Sequence, residues 1–410
     1  MIRSHCGGCH RPGGIAPFSL MEVDDARLHL PEMRAAVDTG LMPPFDAVAD
    51  PDCAPTRPWR DDPRLAPAEV ALLHAWLGAA GEPTALPEPA PTDLVAPTLT
   101  LAPTSPFLSS GDHDQFVCFL YDPRFTRTEY ITSLQVRPTI PGLVHHADIS
   151  VVPPDQAIDV LRQLGALAFP RPCQTLPGVP LHDWAPGNQP LELPAGVAIP
   201  IAPGALIAYQ LHYHPNGGGG ADGTQLDLML TETPPAWSYR LLPLGNEPAA
   251  PQLQPGEDDP STGPAFLIPA NRRDHVEWMR LPLDATLVPD GARLVAVTPH
   301  THLTATHVRA TIDRANGERE CLANGPWRFD WQRTYGYAGE LDALPRIAPG
   351  DAIDVTCHWD NTIENPYVQR LLHDLGLVAP IDLHLGVATT DEMCAANFGM
   401  ATPTVADSLP

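Results

Sequence analysis

Proline punctuates this chain so densely that little of it can be long helix: 51 of its 410 residues are Pro, against a usual share of roughly 5%. Inside a helix a proline removes one hydrogen bond and collides with the preceding turn, whereas turns and strand edges accept it. The constraint points to short elements and to a loop-rich, mainly β architecture.

The helical exceptions cluster at the start. Residues 1–82 read as a small all-α domain. Val23 to Gly40 repeats apolar residues at helical spacing through Ala26, Leu30, Met33 and Val37, with Gly40 as a stop and Pro43-Pro44 beyond it. Pro67 opens a second helix running to Ala80, with Val70, Leu73, Trp76 and Leu77 on its apolar face. A Pro/Ala-rich linker without periodicity is expected over 83–104. Short alternating runs follow, among them Gln115 to Leu120, Tyr130 to Val136 and Leu206 to Leu211, each bounded by Pro, Gly or Asp. A further break from Asn246 to Gly263 and more short strands suggest β-sandwiches over 105–235 and 236–410.

Charge narrows the function classes. The 49 acidic against 24 basic side chains leave a formal net charge of -25, which argues against a nucleic-acid or anionic-membrane surface. Lysine is absent altogether, excluding P-loop and Schiff-base lysine chemistry. No apolar run reaches the ~18 residues of a membrane helix, so no membrane span is expected. No export signal precedes the first motif, at Cys6.

That motif is Cys6-Gly7-Gly8-Cys9-His10, the C-x-x-C-H pattern of c-type haem attachment. Two thiols bond the porphyrin covalently and the adjacent His binds the iron; the alternative is a redox or zinc CxxC followed by chance by His. Met42, in Gly40-Leu41-Met42-Pro43-Pro44, stands on the loop where small cytochromes c place their sixth ligand, and a His/Met haem shuttles electrons. Cys6 to Leu20 with the Met42 loop resembles the class I cytochrome c modules fused to larger bacterial oxidoreductases. Such haem attachment is performed outside the cytoplasm, so a periplasmic or other extracytoplasmic location is expected, with the export signal lost to a late start or trimming.

Histidines supply the second chemistry. In Pro299-His300-Thr301-His302 the two imidazoles share a strand face and suit one metal ion, without choosing it. His145 and His146 are adjacent, so they can meet one metal only across a bulge, strand end or turn. His212 and His214 form another His-x-His. Met393, in Asp391-Glu392-Met393-Cys394, adds a thioether, a soft ligand that favours copper, especially Cu(I), over zinc. No H-E-x-x-H is present, so a metalloprotease base is missing.

Val144-His145-His146, Leu211-His212-Tyr213, Pro299-His300-Thr301-His302-Leu303-Thr304 and Asp391-Glu392-Met393-Cys394 occur in this order at long spacings. That series resembles the copper type II, ascorbate-dependent monooxygenases, the family of dopamine β-monooxygenase and peptidylglycine α-hydroxylating monooxygenase. The resemblance covers about 107–410. It implies two jelly-roll β-sandwiches carrying one copper each across a solvent-filled cleft. His145, His146 and His212 would hold the electron-transfer copper; His300, His302 and Met393 would hold the copper that activates O₂. His214 then falls outside the ligand set, although it could replace one of the adjacent pair. Cys394 would pair with Cys357, Cys118 with Cys173, and Cys53 and Cys321 are left unassigned.

The implied reaction is hydroxylation of a C–H bond in a small organic substrate: one atom of O₂ enters the product, the other leaves as water, and two electrons are consumed. Ascorbate supplies them in the named relatives; here the attached haem, fed by a redox-protein donor, is the expected route. The Arg that precedes the His-x-His in the peptide-hydroxylating member is replaced by Val297-Thr298-Pro299, and its Asn and Tyr are not reproduced in Ala395-Ala396-Asn397-Phe398. A peptidylglycine substrate is therefore not expected. Trp327 to Gln332, also similar to the family, is read as packing. The expected cofactors are two copper ions and one covalent haem. The main alternative is a periplasmic haem and copper electron-transfer or copper-handling protein without hydroxylase activity; a zinc hydrolase with an accessory cytochrome is disfavoured by Met393.

Overall fold

The computed structural model describes residues 1–12, 14–79, 96–110, 113–165, 167–214, 218–245, 252–256, 259–261 and 263–404. The chain is mainly β, with several sheets.

The first 79 residues hold four short helices, Ile2–His5, Val23–Arg27, Leu30–Asp38 and Pro67–Gly78. An all-α cytochrome c fold is not itself displayed. The helix expected from Val23 to Gly40 is two helices, because Pro31 stands in the first turn of the second, where a missing N–H and a fixed φ start a helix rather than continue one. Gly40, at φ +69, ends it as expected. Leu20, Ala26, Met33, Leu73 and Leu77 pack into a small core of their own.

The chain between these helices is built into the β body. Phe45 and Ala47 belong to the main core, and Trp59 stacks on Tyr337 at 5.0 Å between ring centroids. The Arg328 guanidinium grips the Asp46 carboxylate with both ends, Nε donating at 2.9 Å. Val48 N donates to Asn324 O at 2.7 Å. Gly325 permits this approach, since a Cβ there would lie 1.5 Å from Asp46 O. Cys53 and Cys321, unassigned from the sequence, form a disulfide across 268 residues. Nothing local in either stretch announces that pairing.

Most of the expected linker, 83–95, lies outside the described residues. Its end does not behave as a linker: Leu99–Leu101 is a strand antiparallel to Leu226–Leu228, with Leu101 buried. The three expected runs are strands, Gln115–Tyr121, Glu129–Arg137 and Leu206–Tyr213. Gln115–Tyr121, Leu206–Tyr213, Val144–Val152 and Val179–Trp184 lie side by side in a five-stranded sheet. His275–Pro282, Ala352–Trp359, Ala305–Asp313 and Arg319–Pro326 make a four-stranded one. A nine-stranded sheet joins the two halves of the β region, because Trp237–Leu244 pairs in parallel with Val197–Ile201 and antiparallel with Ala395–Pro403.

Cys357–Cys394 is bonded as the resemblance implied, and Cys118–Cys173, the second expected bridge, is bonded too. Three bridges in one chain suit an oxidising compartment. Among the described residues, no helix is long and apolar enough to cross a membrane.

Candidate metal centre

His145 and His146 meet at one place because the strand is irregular there. His146 pairs with His212 and Val144 with Tyr213, so His145 is the extra residue of a bulge. The ligand atoms of His145, His146 and His212 all lie within 4.8 Å of one another. His212 Nδ1 is 3.4 Å from His146 Nδ1. Phe116 stacks on the His212 ring at 4.3 Å and Phe329 on the His145 ring at 4.4 Å, holding both imidazoles in plane.

Asp114 Oδ1 lies 3.2 Å from His212 Nε2 and 2.6 Å from His214 Nδ1. A carboxylate behind an imidazole fixes its tautomer and orientation for a metal on the other nitrogen. His214 Nε2 in turn accepts from Arg370. Both nitrogens of His214 are thus committed, although Asp114, His212 and His214 form a second group whose ligand atoms lie within 4.8 Å of one another.

The Arg293–His300 strand ends at His300, and His302 stands two residues on, with ring centroids 5.4 Å apart. His300 Nδ1 donates to Gln332 Oε1 and His302 Nδ1 to the Asp391 carbonyl, each at 3.0 Å. Each ring then has Nε2 free for a metal. The turn between them is organised by the buried Glu392 carboxylate. It accepts from Thr301 Oγ1 at 3.1 Å, His302 N at 3.1 Å, Thr304 N at 2.6 Å and Thr304 Oγ1 at 2.8 Å. Met393 is the next residue and is buried, and Ala395, two further on, is the cross-strand partner of His300.

The two histidine groups are not separated by the cleft that the resemblance implied. The His146 and His300 rings are 6.0 Å apart, and the Gln332 amide spans the groups, accepting from His300 and donating to His145 Nε2 at 3.0 Å. The Trp327 to Gln332 segment is what closes the space: Trp327 Nε1 donates to His302 O at 2.8 Å, and Phe329 covers His145. It packs, as expected, but against ligand candidates rather than remote core.

Burial keeps the His145, His146, His212 and His300 imidazoles neutral, the state a metal needs. It lowers His146 to about 4 and His212 to about 3. His145 and His300 are held well below the ordinary range by burial and by neighbouring histidines. For Asp114 burial pulls upward, but hydrogen bonds from His212 and His214 prevail and hold it below the usual carboxylate range. Nearby, burial raises Asp148 to about 6 and Asp183 to about 7; Asp183 Oδ2 accepts from Asn397 Nδ2 at 2.6 Å.

A pH dependence of the metal-free chain follows. Unfolded, His145, His146, His182, His212 and His300 take up protons below about pH 6.5. Folded, all five resist, His146 and His182 until about 4. Between these limits the unfolded chain binds more protons at five groups, while the folded chain binds more at two, Asp148 and Asp183. Stability therefore falls as pH drops from 6.5 towards 4. Denaturant midpoints of metal-free protein at pH 6.5 and 4.5 check this; an equal or higher midpoint at 4.5 would refute it.

The haem candidates gather around a cavity of ≈ 830 Å³ lined by Cys6, Cys9, His10 and Met42 on one side, within the size range of cofactor pockets. Cys6 and Cys9 are free thiols, unlike the other six cysteines. Burial pushes the Cys6 thiol up to about 11 and also raises Cys9. His10 Nδ1 donates to the Phe18 carbonyl at 3.0 Å, leaving Nε2 for an axial bond. Two close thiols, a oriented imidazole and an apolar chamber fit a covalent haem.

His307 and His358 face each other across strands, and His358 pairs with Asp274 at 2.8 Å, away from both groups. Asp114, Gln332 and Arg370 were not anticipated as neighbours of the site. Their signal is tertiary: Gln332 is 187 residues from His145, and Arg370 is 156 from His214.

No family model matches the chain, and no curated protein matches it. Among solved structures, the major capsid protein P2 of bacteriophage PM2 is similar at 8% identity with a TM-score of 0.27, covering 75% of this chain and 98% of that one. So distant a likeness bears on neither family nor function.

Proposed function

We propose that this chain is a copper-dependent monooxygenase that hydroxylates a C–H bond of a small organic substrate with O₂, with electrons fed through a covalently attached c-type haem. On this reading residues 1–82 are a cytochrome c-like module, 105–235 and 236–410 are jelly-roll-like β-sandwiches, and the protein works in the periplasm or another extracytoplasmic space. The observation that carries it is the meeting of five histidines, drawn from residues 145 to 302, with His146 and His300 at 6.0 Å. Met393 is buried beside the turn that bears His302.

His145, His146 and His212 would hold one copper; His300, His302 and Met393 would hold the other. When bound, the metals supply one-electron redox chemistry and a place for O₂. The protein's part is to keep His145, His146, His212 and His300 neutral by burial, to fix His302 through the Asp391 carbonyl, and to fix His212 through Asp114. Thr298 Oγ1 is engaged with Thr334 Oγ1 at 2.8 Å and Asn397 with Asp183, and the residues before the His-x-His, Val297-Thr298-Pro299, carry no charge to clamp a peptide carboxylate. Cys6, Cys9 and His10 would carry the haem, and Met42, on the same cavity, would supply a further iron ligand.

Metal and haem analysis of protein matured with haem should give two copper per haem, and chelation should remove substrate-dependent O₂ uptake while leaving the haem. Zinc in place of copper would sink the proposal. Two copper without O₂ uptake against a panel of small substrates would favour the electron-transfer or copper-handling alternative.

A further inference from the structure

We infer that His145 belongs to both cofactor environments, so that an electron held at the Cys6–His10 group enters the metal centre at this imidazole. The inference rests on the proposed function and adds to it the point of entry.

One cavity carries the argument. Its N-terminal wall contains Cys6, Cys9 and His10; its opposite wall contains Leu143, His145 and Gln332. The chamber that would enclose the haem is thus completed by the β body rather than by the helices alone. His145 reaches it because it is the bulged residue of its strand, without a cross-strand partner between Val144 and His146. From the same position its ring makes an edge contact with His212 at 5.1 Å and is stacked on Phe329. His146 and His212 do not line the cavity. Among the three clustered histidines, His145 alone lines the cavity; His214 lines it too, but its two nitrogens are taken by Asp114 and Arg370.

The two walls are also held in register. The disulfide Cys53–Cys321 and the Asp46–Arg328 pair fasten the chain following the Met42 loop to the β body. This is a fixed contact, not an encounter at the end of a tether. Both walls thus belong to one cross-linked unit, so the separation between them does not change from one transfer of a single electron to the next. A haem held by Cys6, Cys9 and His10 would give up one electron and a Cu(II) held by His145, His146 and His212 would take it, with no bond formed or broken and no proton moved. A one-electron donor of the redox-protein class then restores the haem.

The test uses the full chain with matured haem, without metal and then loaded with Zn(II), which adds charge but accepts no electron. A nearby positive ion favours the reduced, less positive haem. At a fixed potential the oxidised-to-reduced ratio should fall about fourfold or more, the lower bound being that for a divalent charge on the order of 10 Å away at a water-like dielectric. His212→Ala, which alters the cluster but not the cavity wall, should keep the haem spectrum and lose the shift; His146→Gln serves if that variant does not fold. An unchanged ratio with zinc bound at the cluster overturns the inference while leaving the proposed function standing. A cluster that takes up neither zinc nor copper overturns the proposed function first, and metal analysis distinguishes the two failures.

Discussion

Met393→Ile is expected to abolish substrate-dependent O₂ uptake, by more than about a hundredfold, while the His145–His146–His212 group keeps its copper. The thioether is the one soft donor proposed for the His300–His302 site, and it is what favours Cu(I) there. Isoleucine is of similar volume and apolar, so the buried position tolerates it at small cost to the fold. The variant therefore separates chemistry from structure. Copper analysis, thermal midpoint and O₂ consumption would be measured together. Uptake at the wild-type rate, with one copper lost, would mean that Met393 is not needed for oxygen chemistry. Haem oxidation by copper should survive the substitution, which is why the electron-transfer alternative predicts no effect.

Glu392→Ala is expected to destabilise the chain by about 3 kcal/mol or more, and to weaken copper binding at His300 and His302 by roughly 10–100-fold. Glu392 is only 1% exposed. Its carboxylate satisfies two backbone N–H groups and two hydroxyls of the Thr301 to Thr304 turn. Alanine strands all of these donors where water cannot replace the lost acceptor, and opens a void beside them. The positioning role is read out by copper stoichiometry falling from two towards one at limiting metal, with the other group still loaded. A denaturant midpoint within experimental error of wild type would show that the turn holds its shape without the carboxylate.

Much of the framework was legible in local pattern. Short apolar runs bounded by Pro, Gly and Asp marked the Gln115, Tyr130 and Leu206 strands, although the structure buries them on both faces rather than alternately. Pro67 marked a helix start and Gly40 a helix end for equally local reasons. The break at Pro31 was also local, but the periodicity of Ala26, Met33 and Val37 masked it. The adjacency of His145 and His146 required a bulge or turn, and the bulge is there.

What the sequence by itself determined is the inventory of chemistry. Cys6, Cys9 and His10 are bound together by covalent spacing, and His300 with His302 by a two-residue interval, since short-range geometry follows from the backbone alone. Only the tertiary structure decided what these groups face. It paired Cys53 with Cys321, set Glu392 under the His302 turn, laid Gln332 between His145 and His300, and brought His146 to 6.0 Å from His300. Those contacts depend on how sheets pack across hundreds of residues, and no local propensity encodes them. The chamber lined by both Cys6–His10 and His145 is of the same kind: residues far apart in the chain come to line one cavity.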